Sequence, residues 1–142
     1  PGKPFWFGSA ASFCMNEQNV YENEKENNKK NTIVFGFPGN PISTFVNCLV
    51  YFYPWYYKSV GMEIKEETAI LGEDVFFKPN LMYFLQVKIA SENGNLVAFP
   101  IKGNGSGDLA SLVKTDAFIL LPDDRTEFKK GAFFPIIRYR SV

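Results

Sequence analysis

The chain has 142 residues, 15 Lys and Arg against 15 Asp and Glu, no histidine, two cysteines, and 46% apolar and 17% aromatic residues, fifteen of the latter Phe. Without imidazole there is no Ser/His/Asp triad, no Cys/His nucleophile and no histidine metal site, and Cys14 and Cys48 alone supply neither a four-thiolate zinc site nor a disulfide framework. Balanced charge gives no global pull toward nucleic acid or an anionic membrane, no apolar run reaches the ~18 residues of a membrane-spanning helix, and the size suits one ordinary domain or two small ones.

The start, Pro1-Gly2-Lys3-Pro4, is neither an initiator methionine nor a signal peptide, and the chain reads as part of a longer one. Residues 5–13, opening on Phe5-Trp6-Phe7, read as a strand, because large flat side chains fit a pleated, half-buried surface. Asn16 to Asn31 holds Glu17, Glu22, Glu24, Glu26, Lys25, Lys29 and Lys30, with only Val20 and Tyr21 apolar. So polar a stretch buries too little surface to offset its ordering entropy and is expected to be a solvated connection.

Thr32 to Phe37 is the clearest strand, apolar enough to be covered on both faces. Pro38-Gly39-Asn40-Pro41 stops it: Asn40 is a natural N-cap, and Pro41 a natural first helical residue because its missing N–H has no partner to lose. Ile42, Phe45, Val46, Leu49, Tyr53 and Tyr56 then recur at helical spacing to about Ser59, with Gly61 as the stop. The expected helix face is broad, aromatic and buried, with a bend at Pro54 where the bond to the Val50 carbonyl is lost.

Beyond Gly61 the period shortens. Strands are expected at 68–71, 74–78, 82–90, 96–101, 117–121 and 132–139, separated by turn signals, and a short helix near 108–113. Asn93-Gly94 between two alternating runs is the strongest of these signals, since both residues tolerate the positive φ of a type I′ hairpin turn. The spacing indicates a small β-barrel or sandwich, with a boundary between Gly61 and Thr68.

The segment from Phe35 to Ser43 carries the chemistry most open to reading. A strand running through glycine into a helix start aims free amides and the positive dipole end at one point, suited to a phosphate or another oxyanion; an ordinary βα turn explains the same residues equally well. Gly103-Asn104-Gly105-Ser106-Gly107-Asp108 lacks the lysine and spacing of a P-loop and reads as a flexible connection in which Ser106 or Asp108 caps the next helix. Asp123-Asp124-Arg125 reads as an exposed turn, with no third metal ligand beside it. Lys3 is a surface lysine on a stiff backbone.

Pro1-Gly2-Lys3-Pro4 followed by a strand, Val34-Phe35-Gly36-Phe37-Pro38-Gly39-Asn40-Pro41-Ile42-Ser43, and Asn104-Gly105-Ser106-Gly107 ahead of Leu109-Ala110-Ser111-Leu112 together resemble the MoeA family of molybdopterin molybdenumtransferases, in order and spacing along the whole chain. The resemblance implies an α/β plus β architecture: residues 1–64 as the C-terminal portion of a three-layer molybdopterin-binding α/β domain, with 16–31 a polar surface insertion, and residues 65–142 as a small C-terminal β-barrel domain. It implies a cytoplasmic, homodimeric enzyme with no nucleic-acid or membrane partner. Such an enzyme inserts molybdate into adenylylated molybdopterin (molybdopterin-AMP) with magnesium (Mg2+), releasing AMP. Pro38, Gly39, Asn40, Pro41 and Ser43 would form part of the pterin-phosphate pocket, Lys3 would face the anionic ligand, and Ser106 would match the family's barrel-domain serine.

Two departures accompany the resemblance. Gln86 stands where the family usually has an arginine, and the Gly-Gly-x-Ser-x-Gly-x-x-Asp segment that handles the metal is absent, so this stretch is not expected to catalyse the reaction alone. The alternative is a gephyrin-like scaffold binding a partner peptide. An incomplete α/β layer is further expected to bury its aromatic surface against another copy or another chain.

Overall fold

The structure is a computed structural model and describes residues 5–11, 31–78, 82–101 and 109–140. Two strands, β1 (Trp6–Ala11) and β2 (Asn31–Gly36), form an antiparallel ladder running from Trp6↔Gly36 to Ala11↔Asn31. The alternation expected of strands sorts their side chains. Phe5, Phe35 and Phe37 turn toward the following helix, where Phe5 stacks on Tyr51 at 4.5 Å and Phe35 meets Phe52 and Trp55 edge-on at 5.3 and 5.1 Å. Trp6 and Val34 are exposed, so among the described residues β2 is covered on one face rather than two.

The helix departs from expectation at its middle. Helix α1 (Pro41–Asn47) passes into a π-helical stretch (Cys48–Phe52) and then α2 (Tyr53–Ser59). In the widened turn the Tyr53 amide donates to the Cys48 carbonyl, five residues back, which accommodates the donor Pro54 lacks just where a normal helix would need it. The extra residue also rotates the apolar stripe. Only Val46 is buried, while Tyr51, Tyr53 and Tyr56 are 47%, 41% and 46% exposed, so the broad buried face is not formed among the described residues.

From Glu67 onward five strands close a barrel in the order β3 (Glu67–Leu71), β6 (Asn95–Pro100), β5 (Tyr83–Glu92), β7 (Ala117–Leu121), β9 (Phe133–Arg138). Neighbours are antiparallel except β3 and β6, which run parallel through Ile70↔Val97 and Leu71↔Ala98, and β3 returns to β9 to close the ring. A short ribbon of β4 (Val75–Phe76) and β8 (Glu127–Phe128) lies beside it. Inward residues follow the two-residue period: Leu85, Val87 and Ile89 from β5, Ala117, Ile119 and Leu121 from β7, Phe134 and Ile136 from β9, joined by Leu71, Ala98 and Phe128. The β5–β6 turn is the hairpin expected at Asn93-Gly94, with φ of 50° and 80°. Pro135 lies inside β9 opposite Thr68 of β3, while pairing to β7 ends one residue on, at Ile119↔Ile136.

Candidate functional site

The expected helix start is present in detail. Asn40 is extended (φ −78°, ψ 122°), its Oδ1 accepts from the Ser43 amide at 3.0 Å, and its carbonyl accepts from the Thr44 amide at 2.8 Å. The Thr44 hydroxyl donates back to the Pro38 carbonyl, tying the end of the strand segment to the first helical turn. Pro38 is buried beneath this turn and Gly39 is exposed.

This capping consumes donors that the sequence suggested were free. Pro41 has no N–H, and the Ser43 amide is spent on Asn40, so the Ile42 amide and the Ser43 hydroxyl are the first-turn donors left without a protein partner among the described residues. They sit at the positive end of a helix that continues to Ser59. Nothing lies within 4 Å of where a Cβ on Gly39 would stand, and its φ is not in the left-handed region. The fold therefore does not require glycine there, and the bare backbone leaves open space at the turn. Of the residues implied by the resemblance, Pro38, Gly39, Asn40, Pro41 and Ser43 come together here; Lys3 and Ser106 lie outside the described residues, as do most of the polar segment 16–31 and the glycine-rich stretch 103–108.

Residues that sequence reading passed over form a second polar cluster. Helix α3 (Leu109–Lys114) ends on β7, and its last carbonyls are met by side chains: Ser111 by the Thr115 hydroxyl at 3.2 Å, Leu112 by the Tyr139 hydroxyl at 3.4 Å, Val113 by the Arg140 guanidinium at 2.5 Å. The Thr115 and Tyr139 hydroxyls also lie within hydrogen-bond distance of each other, and with two protons for three contacts one hydroxyl shares its proton between the other and a carbonyl. The Asp116 side chain, only 6% exposed, accepts from the Ile89 amide at 3.1 Å and Lys88 Nζ at 3.0 Å, while its carbonyl receives the Tyr139 and Arg140 amides. Burial pushes the Asp116 carboxyl up, but the Ile89 amide and Lys88 outweigh it and hold the group below the usual carboxylate range. Burial pushes the Tyr139 phenol up. The available signal was two polar residues, Thr115-Asp116, immediately before an apolar run.

The two clusters meet through Phe45. Its ring lies edge-on to Tyr139 (5.0 Å, 83°) and tilted over Phe118 (6.2 Å), which is buried. Beside this contact an open groove of about 1150 Å³ runs between the helix, at Leu49 and Tyr53, and β9, at Ile137 and Arg138.

Other chemistries find little support. Burial pushes the Cys48 thiol up, the wrong direction for a nucleophile near neutral pH. Among the described residues no three Cys, Asp or Glu side chains stand close enough to hold a metal ion, so magnesium has no ligand set there. Among the described residues Gln86 leaves its Oε1 buried without a hydrogen-bond partner. No helix among the described residues is long and apolar enough to cross a membrane.

A family model for the MoeA C-terminal region (domain IV) matches residues 68–139, the barrel from β3 to the last residue of the Phe45 contact. The chain belongs to the MoeA family. A molybdopterin molybdenumtransferase of Synechocystis sp. is 30% identical over 136 residues, covering 95% of this chain and 28% of the relative. The Bacillus subtilis molybdopterin molybdenumtransferase is 28% identical over 113 residues, covering 76% of the chain and 26% of that protein. The crystal structure of a molybdopterin biosynthesis MoeA protein from Pyrococcus horikoshii superposes with a TM-score of 0.57 at 31% identity, over 71% of this chain and 26% of that one. This MoeA-family chain thus spans little more than a quarter of the length of the relatives it matches.

Proposed function

We propose that the chain is the C-terminal part of a molybdopterin molybdenumtransferase, residues 1–64 belonging to the molybdopterin-binding α/β domain and residues 65–142 forming the barrel domain. The observation that carries the reading is the Pro38–Ser43 turn, which offers open space above Gly39 flanked by a backbone donor at Ile42 and a hydroxyl at Ser43. The pyrophosphate of an adenylylated pterin fits such a place, since an N–H and an O–H at the positive end of a helix stabilise an oxyanion without a counter-charge. Asn40 and Thr44 hold the donors in position. Lys3 would add a cation and Ser106 a second hydroxyl. The reaction served is insertion of molybdate into adenylylated molybdopterin with release of AMP, the magnesium ion being held by residues outside this chain.

The test is titration of the complete polypeptide with adenylylated molybdopterin, followed by Trp fluorescence or calorimetry. Gly39→Val and Ser43→Ala are expected to weaken binding about tenfold, the loss of one charge-assisted hydrogen bond or of access to the turn. Failure of the unaltered protein to bind either molybdopterin or its adenylylated form defeats the reading. Exposure of Trp6, Phe7, Tyr51 and Tyr56 supports association with another copy or chain. Sedimentation as a monomer at micromolar concentration counts against that part of it.

A further inference from the structure

We infer that Tyr139 is a positioning residue for the ligand-binding turn: the barrel, through Tyr139 and Phe45, holds the helix that carries residues 38–43. The inference rests on the reading of that turn given above and assigns the barrel a role in it. Phe45 is four residues after Pro41, one turn below it on the same side of α1. There it lies edge-on to Tyr139 at 5.0 Å and over Phe118 at 6.2 Å.

The surface it rests on is unusually fixed. The Tyr139 hydroxyl is bonded to Thr115, which is fully buried, and donates to the Leu112 carbonyl at 3.4 Å; the Tyr139 amide donates to Asp116 at 3.1 Å. Phe118 is 1% exposed and lies 5.3 Å from the Tyr139 ring. Ring and backbone are therefore held from several directions, whereas α1 buries only Val46 of its own residues.

A backbone amide cannot correct its aim by changing rotamer. The Ile42 donor moves only if the helix moves, so whatever holds α1 sets the geometry of the turn, and misplacement by about 1 Å costs as much as ~100-fold in a positioned interaction. Phe45→Leu removes the ring edge from Tyr139; Tyr139→Phe removes only the hydroxyl that orients the partner ring.

The experiment is binding of adenylylated molybdopterin by the complete polypeptide, with thermal melting measured on the same samples. Phe45→Leu is expected to raise Kd about tenfold and Tyr139→Phe two- to fourfold. The double variant should be no worse than Phe45→Leu alone, because both act on one contact. Phe45→Tyr, which keeps the ring, should restore binding. Phe128→Leu, whose ring packs on Phe134 instead, should lower the melting temperature with Kd unchanged. If Phe45→Leu and Tyr139→Phe melt earlier yet bind as the unaltered protein does, the contact is structural only and the inference falls. Should Phe45→Leu fail to fold, Tyr139→Phe decides alone. If the unaltered protein binds no adenylylated molybdopterin, the reading of the turn fails first, and the positioning role with it.

Discussion

Asp116 offers the sharpest quantitative test of the barrel's construction. Asp116→Ala strands the buried Ile89 amide, which now donates to Asp116 Oδ2 at 3.1 Å, and releases Lys88. The lysine side chain is 56% exposed and finds water at little cost, so its share is a few tenths of a kcal/mol. The amide has no such recourse, and a buried donor left unpaired costs about 1–3 kcal/mol. The expected destabilisation is about 2–3 kcal/mol, or roughly 6–12 °C in Tm for a chain of this size. Asp116→Asn keeps an acceptor for Ile89 and should cost about half as much.

Acid separates the charge from the shape. The native carboxyl sits below its ordinary value, so its contribution is complete above about pH 4, where the unfolded chain has ionised, and drains away as the pH falls through the native value. Asp116→Asn has no such group and should show a flatter acid branch below about pH 4. Urea melts monitored by circular dichroism from pH 2 to 7 measure both effects. An Asp116→Ala chain within about 0.5 kcal/mol of the unaltered one at pH 7 would mean that the Ile89 amide is not left unpaired.

Gln86→Leu exchanges a buried, unpartnered carbonyl for apolar surface of similar size and should stabilise by about 1 kcal/mol; a loss in urea midpoint would mean that Oε1 has a donor after all. Gly72→Ala would bring a Cβ to 2.8 Å from the Phe99 ring and 3.2 Å from the Ala98 carbonyl, and should cost about 1–3 kcal/mol by differential scanning calorimetry. Asn40→Ala removes the cap on Ser43 and should cost about 1 kcal/mol, while Asn40→Asp or Asn40→Ser, which keep an acceptor, should cost less than half of that; equal losses would show the side-chain bond to be idle.

The features legible in the sequence are those set by neighbours along the chain. Asn40 caps the helix and Asn93-Gly94 turns the hairpin because their backbone and side-chain preferences need nothing remote. The alternation of Leu85, Val87 and Ile89 likewise declares a strand with one face inward. What could not be read depends on distant partners. Pro54 predicts that a helical bond is lost, but whether the helix kinks or widens is decided by how Phe52 and Trp55 seat against Phe35. Asp116 looks like any turn aspartate until β5 brings the Ile89 amide to it, and Tyr139 looks like a strand aromatic until Phe45 arrives from the other end of the chain. For the candidate turn, the sequence located the residues, while the division of its amides between cap and open space depends on the Asn40 rotamer that reaches the Ser43 amide.

The pairing of β3 with β9 sets a schedule for folding. Glu67↔Ile136 and Ile70↔Phe133 join the first strand of the barrel to the last, so the ring cannot close until Ile136 has left the ribosome. Until then β3 has only its parallel contact with β6, and the outer row of β7 amides and carbonyls stands open. Closing so long a loop is slow, because the entropy of bringing the ends together is lost before the new contacts are gained. The same late segment delivers Tyr139 to Thr115 and Phe45, so a polypeptide shortened ahead of Phe133 would lack both the seam of the barrel and the seat of the helix at once.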